Sequence, residues 1–298
     1  MNSKIIAKPF LKWVGGKTQI IEKIISKIPC EMNNYHELFL GGGSVLFAVL
    51  SLQKHGKIII KNKIYAYDIN ERLIQVYKHV QKNKDELYEF INDYTNEYKN
   101  IEGKTFIKIS KSLEDAKTSK QSYYYWLRKK YNTINTQTIE SSALFILLNK
   151  ICFRGLYREG PNGFNVPYGN YKKVNIITKD YLNYISNLIK DVEFISCDFT
   201  QSIKNVKEGD FVYIDPPYVK KDNNSFVGYV HDGFNLEMHT KLFESIKNLG
   251  TIKFVMNNSD ENLVINTFKE FLCENITAKR AINSKNPGSK TSEVIIYN

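Results

Sequence analysis

The chain has 298 residues, 42% of them hydrophobic and 24% charged, a globular composition with room for one large domain or two smaller ones. The apolar stretches 45–52 and 143–148 fall well below the roughly 18–20 residues of a membrane span, and residues 1–9 carry lysines without the apolar run of a signal peptide. Neither a disulfide framework nor a zinc site is indicated, because Cys30, Cys152, Cys197 and Cys273 form no CxxC pair and lack histidines at ligand spacing. These features predict a soluble cytoplasmic protein with no metal and no membrane partner. The net charge of +11 suits a polyanion partner, although a lysine-rich surface also serves solubility alone.

In chain order, Ile20, Ile21, Ile24, Ile25 and Ile28 recur at helical spacing between Thr18 and Pro29 and predict a helix over 18–28. Residues 37–40 read as a short strand running into Gly41-Gly42-Gly43-Ser44 and a second apolar helix that stops at Gly56. Residues 57–66 read as a strand ending at Tyr67-Asp68-Ile69-Asn70, followed by a helix over 73–80. From about Leu73 to Lys173 the chain turns polar, rich in tyrosine and lysine, and mostly helical in pattern, including 123–131. That stretch closes on a segment punctuated by glycine and proline, 154–169, with the character of a loop or hairpin. Then α/β alternation resumes, with strands at Val192–Ser196 and Phe211–Ile214, a helix at 236–249, a strand at 252–256 and a helix near 261–271. Residues 277–282 and 293–297 flank Asn286-Pro287-Gly288 as a terminal hairpin would. The pattern predicts an α/β fold with a mostly parallel sheet, helices on both faces and a terminal antiparallel hairpin. It makes one discontinuous domain of 1–72 and 174–298, interrupted by a helical insertion, 73–173.

Asp215-Pro216-Pro217-Tyr218 follows the apolar strand Phe211–Ile214. Two prolines end the strand and stiffen the turn, so that Asp215 and the Pro216 carbonyl face outward at the carboxyl edge of the sheet, where open α/β sheets bind ligands. An exocyclic amine is a poor nucleophile because its lone pair is delocalised into the ring. Two acceptors for its N–H groups favour the pyramidal amine, and Tyr218 offers a face on which an extruded base can stack. Asp and Pro are also common at ordinary strand-end turns. The turn Gly41–Ser44 between strand and helix allows close approach of a ligand to the backbone, though it does not fit the GxGxxG pattern. Asp68 at the next strand end is placed to accept ribose hydroxyls of an adenosine-containing cofactor. Gly16-Lys17-Thr18 is not a P-loop: the pattern needs glycine where Leu11 stands, and no strand precedes it. Pro29-Cys30 precedes the glycine turn at a helix end and reads as structural, not as the nucleophile of cytosine carbon-5 methylation.

Taken together, residues 12–17, 39–44, Asp68-Ile69-Asn70, 215–218 and 154–169 resemble the DNA adenine-N6 methyltransferase family of the D12, Dam-like class, in the family's motif order and over nearly the whole chain. Leu38, where relatives usually have proline, is a departure. The resemblance implies a seven-stranded methyltransferase sheet with an inserted helical target-recognition domain, S-adenosylmethionine as methyl donor and double-stranded DNA as substrate. It places Trp13 and Lys17 on the amino acid half of the cofactor and Phe39, Gly41, Gly43, Asp68 and Ile69 along it. Asp198 and Phe199 would border its adenine, and Asp215, Pro216, Pro217 and Tyr218 would hold the flipped base. In the insertion, Arg158 is the expected guanine contact, Leu156 and Pro167 the wedge, and Arg154, Arg128 and Lys129 further DNA contacts. GATC is the first expected site and CATG the second. A restriction endonuclease acting on that site is a candidate partner, and a monomer or weak dimer the expected assembly. The competing readings are a cytosine-N4 or RNA amine methyltransferase and a catalytically silent DNA-binding protein on the same scaffold.

Overall fold

A computed structural model describes residues 5–219, 234–279 and 290–298. The chain forms two compact units, Met1–Lys8 with Lys17–Asn70 and Asp191–Asn298, and Pro9–Gly16 with Glu71–Lys190. Its elements begin with α1 (Ile21–Ile25), β1 (Glu31–Met32), β2 (Tyr35–Glu37), α2 (Ser44–Lys54), β3 (Ile59–Ile60) and β4 (Ile64–Asp68). The second unit contributes α3 (Glu71–Lys82), α4 (Lys84–Asn100), α5 (Leu113–Ala116), α6 (Lys120–Thr133), α7 (Ile139–Ile151), β5 (Glu159–Gly160), β6 (Gly163–Phe164) and α8 (Lys179–Leu188). The first unit resumes with β7 (Val192–Ser196), α9 (Phe199–Ser202), β8 (Phe211–Ile214), α10 (Leu236–Lys247), β9 (Lys253–Ser259), α11 (Asn262–Thr267), β10 (Leu272–Lys279) and β11 (Lys290–Tyr297).

The first unit is built on a seven-stranded sheet in the order β10-β11-β9-β8-β2-β4-β7. Strands β9, β8, β2, β4 and β7 run parallel, while β11 is antiparallel to both β9 and β10. This is the mostly parallel sheet with a terminal hairpin that the alternation of elements predicts. All four residues of β8 are buried, as a central parallel strand covered on both faces requires. Its Val212 and Ile214 join Leu38, Leu242, Phe254, Met256, Val294 and Ile296 in one apolar cluster. Each such side chain contributes about 1.5–3 kcal/mol by leaving water.

Several boundaries differ from the sequence pattern. The helix expected over 18–28 is a 3₁₀ turn, Lys17–Gln19, followed by the short α1, yet the five isoleucines are buried as the spacing implies. The strand expected over 57–66 is two strands: β3 pairs with β1, and β4 joins the main sheet. The polar Lys61-Asn62-Lys63 turn separates them, held by Asn62 N–H on the Asn33 carbonyl and Lys63 N–H on Asn34 Oδ1. Strand β10 starts at Leu272, ahead of the expected 277. Residues 286–288, read as the hairpin turn, lie outside the described residues.

In the second unit α7 packs against α3, α4 and α6 and is buried nearly all round. Ser119, Thr138 and Thr178 cap α6, α7 and α8 by accepting from backbone N–H groups of the first turn, each worth about 1 kcal/mol. No described helix is long and apolar enough to cross a membrane.

Strands β2 and β8, which carry the site, are locked together at their amino ends by Asp210, which is 3% exposed. Its Oδ1 accepts from Asn34 N at 3.1 Å and Asn34 Nδ2 at 2.7 Å. Its Oδ2 accepts from Lys207 N at 2.9 Å and lies 3.1 Å from His36 Nε2. Replacing Asp210 with Ala removes the acceptor of all these groups at once, the buried His36 among them, so urea unfolding is expected to show a loss of about 3 kcal/mol. A loss below about 0.5 kcal/mol, the scale of an ordinary surface change, would show that the clamp is not needed.

Candidate active site

Strand β2 has β4 on one side and β8 on the other, so the strand order reverses at this point of the sheet. Connections leaving either side diverge and open a crevice beyond the carboxyl ends of the strands. The Gly41–Ser44 turn, Asp68 and Asp215 follow or end β2, β4 and β8 at this edge.

The glycine turn has a structural need for glycine at two positions: Gly41 and Gly43 stand at φ 48° and 69°, in the left-handed region. Asp68 fixes the turn, with Oδ2 accepting from Gly41 N at 2.9 Å while Oδ1 accepts from Asn70 N at 2.9 Å. Burial pushes the Asp68 pKa up, and the two N–H groups oppose that rise. Beside it Ile69 is 74% exposed, an aliphatic side chain left bare at the end of a core strand. Phe39 packs 5.9 Å from Phe199, which is itself buried. Asp198 is the N-cap of α9, accepting from Thr200 N at 2.8 Å.

Lys17 and Asp215 form an ion pair at this edge, Nζ to Oδ2 at 2.6 Å, with Lys17 only 4% exposed. The Lys17 backbone is tied to the first residue of α2, its N–H donating to Ser44 Oγ at 3.1 Å. Burial raises the Asp215 pKa, and the Lys17 ammonium pulls against it. The other oxygen, Oδ1, is shielded from solvent and has no hydrogen-bond partner among the described residues. Pro216 is buried and Pro217 exposed. Tyr218 donates its hydroxyl to Glu293 Oε2 at 3.0 Å, and Lys17 Nζ lies 5.1 Å from its ring centroid.

Glu37, at the end of β2, is a site residue that the sequence reading passed over. It is 2% exposed and accepts from the Tyr35 hydroxyl at 2.6 Å. Burial, with a contribution from the charge of Asp215, pushes its pKa up to about 8. A carboxylate at the end of a fully buried strand that leads into the glycine turn is the signal that marks it.

The remaining expected residues belong to the second unit. Trp13, placed on the cofactor by resemblance, lies against both Phe145 and Tyr157, at 6.3 and 5.8 Å between ring centroids, and those two rings stack on each other at 5.1 Å. Arg158 is exposed and spans the β5–β6 hairpin, its Nε donating to Asn165 Oδ1 at 2.6 Å. Arg154 holds the left-handed conformation at φ 57°, unusual for a side-chain-bearing residue, with its backbone N–H on the Tyr171 hydroxyl at 2.6 Å. Its neighbour Phe153 is 42% exposed. Leu156 is half-buried, Pro167 and Lys129 are exposed, and Arg128 braces the hairpin through Nη1 to the Val166 carbonyl at 3.0 Å. Asn149 was not foreseen: its amide accepts from Lys12 N, donates to Lys12 O, both at 2.8 Å, and donates to Gly155 O at 3.2 Å.

A family model described as D12 class N6 adenine-specific DNA methyltransferase matches residues 13–282. The type II methyltransferase M.MjaIII of Methanocaldococcus jannaschii is 34% identical over 98% of this chain and 99% of its own length. The type II methyltransferase M1.LlaDCHI of Lactococcus lactis subsp. cremoris is 29% identical, covering 100% and 97%. A DNA adenine methylase of Haemophilus influenzae is 30% identical, covering 96% and 91%.

Between pH 4.5, the ordinary value for its carboxyl, and about 8, folded Glu37 holds a proton that the unfolded chain has released. Stability therefore falls as pH rises through that window. Glu37→Gln keeps an acceptor for Tyr35 and cannot ionise, so its melting temperature is expected to match the wild type near pH 5 and exceed it by a few degrees at pH 8. Calorimetry at the two pH values checks this, and an equal difference at both would mean that Glu37 is ionised in the fold.

Proposed function

This chain belongs to the D12 class of N6 adenine-specific DNA methyltransferases, and we propose that the crevice beyond β2, β4 and β8 holds S-adenosylmethionine beside an adenine turned out of the DNA duplex. Methylation of adenine N6 in DNA is the reaction of the class and of this chain. What carries the assignment of residues is the unpartnered Oδ1 of Asp215, a shielded acceptor at a strand end whose other oxygen is already taken by Lys17.

The residues beyond β2 and β4 fit an adenosine-containing cofactor: a strand-end carboxylate, glycines at positive φ and a bare Ile69. Asp68 would hold the ribose, with Phe39, Gly41, Gly43 and Ile69 along the nucleoside and Asp198 and Phe199 toward its base. Bound there, S-adenosylmethionine supplies a methyl group activated as a sulfonium. Asp215 Oδ1 and the Pro216 carbonyl accept the two N–H bonds of the target amine, which returns the lone pair to nitrogen. Lys17 restrains the carboxylate and favours its ionised form against the effect of burial. Once nitrogen carries the methyl group it must shed a proton, and Asp215 is the base within reach. Tyr218 supplies the face against which the base stacks.

Target recognition falls to the second unit, including the stretch 73–173. Arg158 would read guanine, since its guanidinium matches two acceptors in the major groove. Leu156 and Pro167, joined by the exposed Phe153 at its strained turn, would fill the space the base vacates. Arg128, Arg154 and Lys129 would contact phosphates. A short palindrome, GATC before CATG, is the expected site, and an endonuclease cutting there a candidate partner.

Labelled methyl from S-adenosylmethionine, incubated with unmethylated duplex DNA, is expected to appear as N6-methyladenine at one short motif. Asp215→Ala should lower the transfer rate by at least about 10²-fold while DNA binding in a gel-shift assay is retained. Asp68→Ala should weaken S-adenosylmethionine binding by about 10-fold or more in calorimetry, the scale of one lost charged hydrogen bond. Full turnover by the Asp215 variant would remove that residue from the mechanism, and label in cytosine would remove the target assignment.

A further inference from the structure

We infer that Glu293, on the terminal hairpin strand β11, is a positioning residue for methyl transfer that fixes the Tyr218 ring through its hydroxyl. The inference rests on the reading of Tyr218 as the face that receives the target base.

Tyr218 lies in the turn beyond β8, and its hydroxyl donates to Glu293 Oε2 at 3.0 Å. The same turn is gripped one residue later from β9. Val219 N–H donates to Asn258 Oδ1 at 3.3 Å, and the Val219 carbonyl accepts from Ser259 Oγ at 2.9 Å. Strand register puts Glu293 opposite Ser259 and Val294 opposite Asn258. Adjacent rungs of one antiparallel ladder therefore hold the backbone of the turn and the tip of its tyrosine. At the ring itself, Lys17 Nζ stands 5.1 Å from the centroid while it pairs with Asp215 Oδ2 at 2.6 Å. The ring is thus set at its hydroxyl by Glu293 and near its face by the cation that sets the catalytic carboxylate.

A tyrosine held only by its own torsions wanders among wells, and the stacked geometry must then be selected on every turnover. The tether removes that search. Glu293 also brings a second negative charge toward Asp215, which raises the affinity of that carboxylate for a proton. An acidic residue on a terminal hairpin is in this way coupled to two groups at the site.

The test is a mutant cycle on the full chain: wild type, Glu293→Ala, Tyr218→Phe and the double variant, with DNA from a methylation-deficient host and S-adenosylmethionine. Each single change is expected to slow single-turnover methylation by about tenfold or more, and the double variant should be no slower than Tyr218→Phe alone, since both break the same tether while the phenol also acts on Asp215. Melting temperatures separate rate loss from unfolding. Glu293→Gln keeps an acceptor, so it should restore the rate while moving the acid limb of the pH–rate profile to lower pH. Multiplicative losses in the double variant, or a Glu293→Ala deficit matched by its thermal destabilisation, would confine Glu293 to supporting the hairpin. An inactive wild type would count against the functional reading itself, whereas an active wild type with an additive cycle counts against Glu293 alone.

Discussion

The arrangement of the first unit turns on one buried contact, the 2.6 Å pair between Lys17 and Asp215. An ammonium at 4% exposure is sustained only by a partner: the desolvation penalty of a lone buried charge is several kcal/mol, and removing one member of such a pair costs about 3–5 kcal/mol. The pair fixes where Lys17 enters the unit, and Ser44 Oγ fixes the backbone beneath it. It also leaves the two oxygens of the carboxylate unequal, because Oδ2 is committed to Lys17 while Oδ1 has no hydrogen-bond partner among the described residues. The Lys17 ammonium also lies 5.1 Å from the Tyr218 ring centroid, so a single cation stands beside both groups.

Sheet topology supplies the rest. Three consecutive positions in the strand order, β8, β2 and β4, deliver Asp215, the glycine turn and Asp68 to one edge. The reversal at β2 keeps the loops from covering them. The amino-end clamp of Asp210 holds β2 and β8 in register, so the reach between the glycine turn and the Asp-Pro-Pro-Tyr turn is set by ladder hydrogen bonds instead of loop conformations. The antiparallel hairpin is part of the same device. Without β11 beside β9, neither Glu293 nor the rungs that hold Val219 would stand over the end of β8.

Much of this was legible from residues whose meaning is local. Prolines end a strand wherever it lies, glycines admit positive φ, and an acid at a strand end faces the carboxyl edge. Gly41, Gly43, Asp68 and Asp215 were found on those grounds, and each stands where the pattern put it relative to its own strand. The illegible part consists of partnerships at long range. Asp215 with Lys17, Tyr218 with Glu293 and Asn149 with Lys12 pair residues far apart in the chain, and no spacing rule proposes them. Trp13 shows the same limit. An aromatic residue near a cationic cofactor is physically sensible, yet Phe145 and Tyr157 supply a stack that the neighbourhood of Trp13 in sequence does not reveal. The break between β3 and β4 was missed because isoleucines on both sides of Lys61-Asn62-Lys63 continue the strand pattern across a turn.

Charge then explains why so many acids can share this edge. Asp68 and Asp215 both act on Glu37, and Glu293 acts on Asp215, which pairs with the buried Lys17, in a chain whose net charge is +11. With all four ionised, mutual repulsion in a poorly solvated crevice would oppose folding. The geometry relieves it unevenly. Glu37, the most enclosed, keeps its proton at neutral pH with the Tyr35 hydroxyl on its other oxygen, and so fills space without adding charge. Asp68 accepts from two backbone N–H groups, Asp215 pairs with Lys17, and Glu293 accepts from a tyrosine hydroxyl.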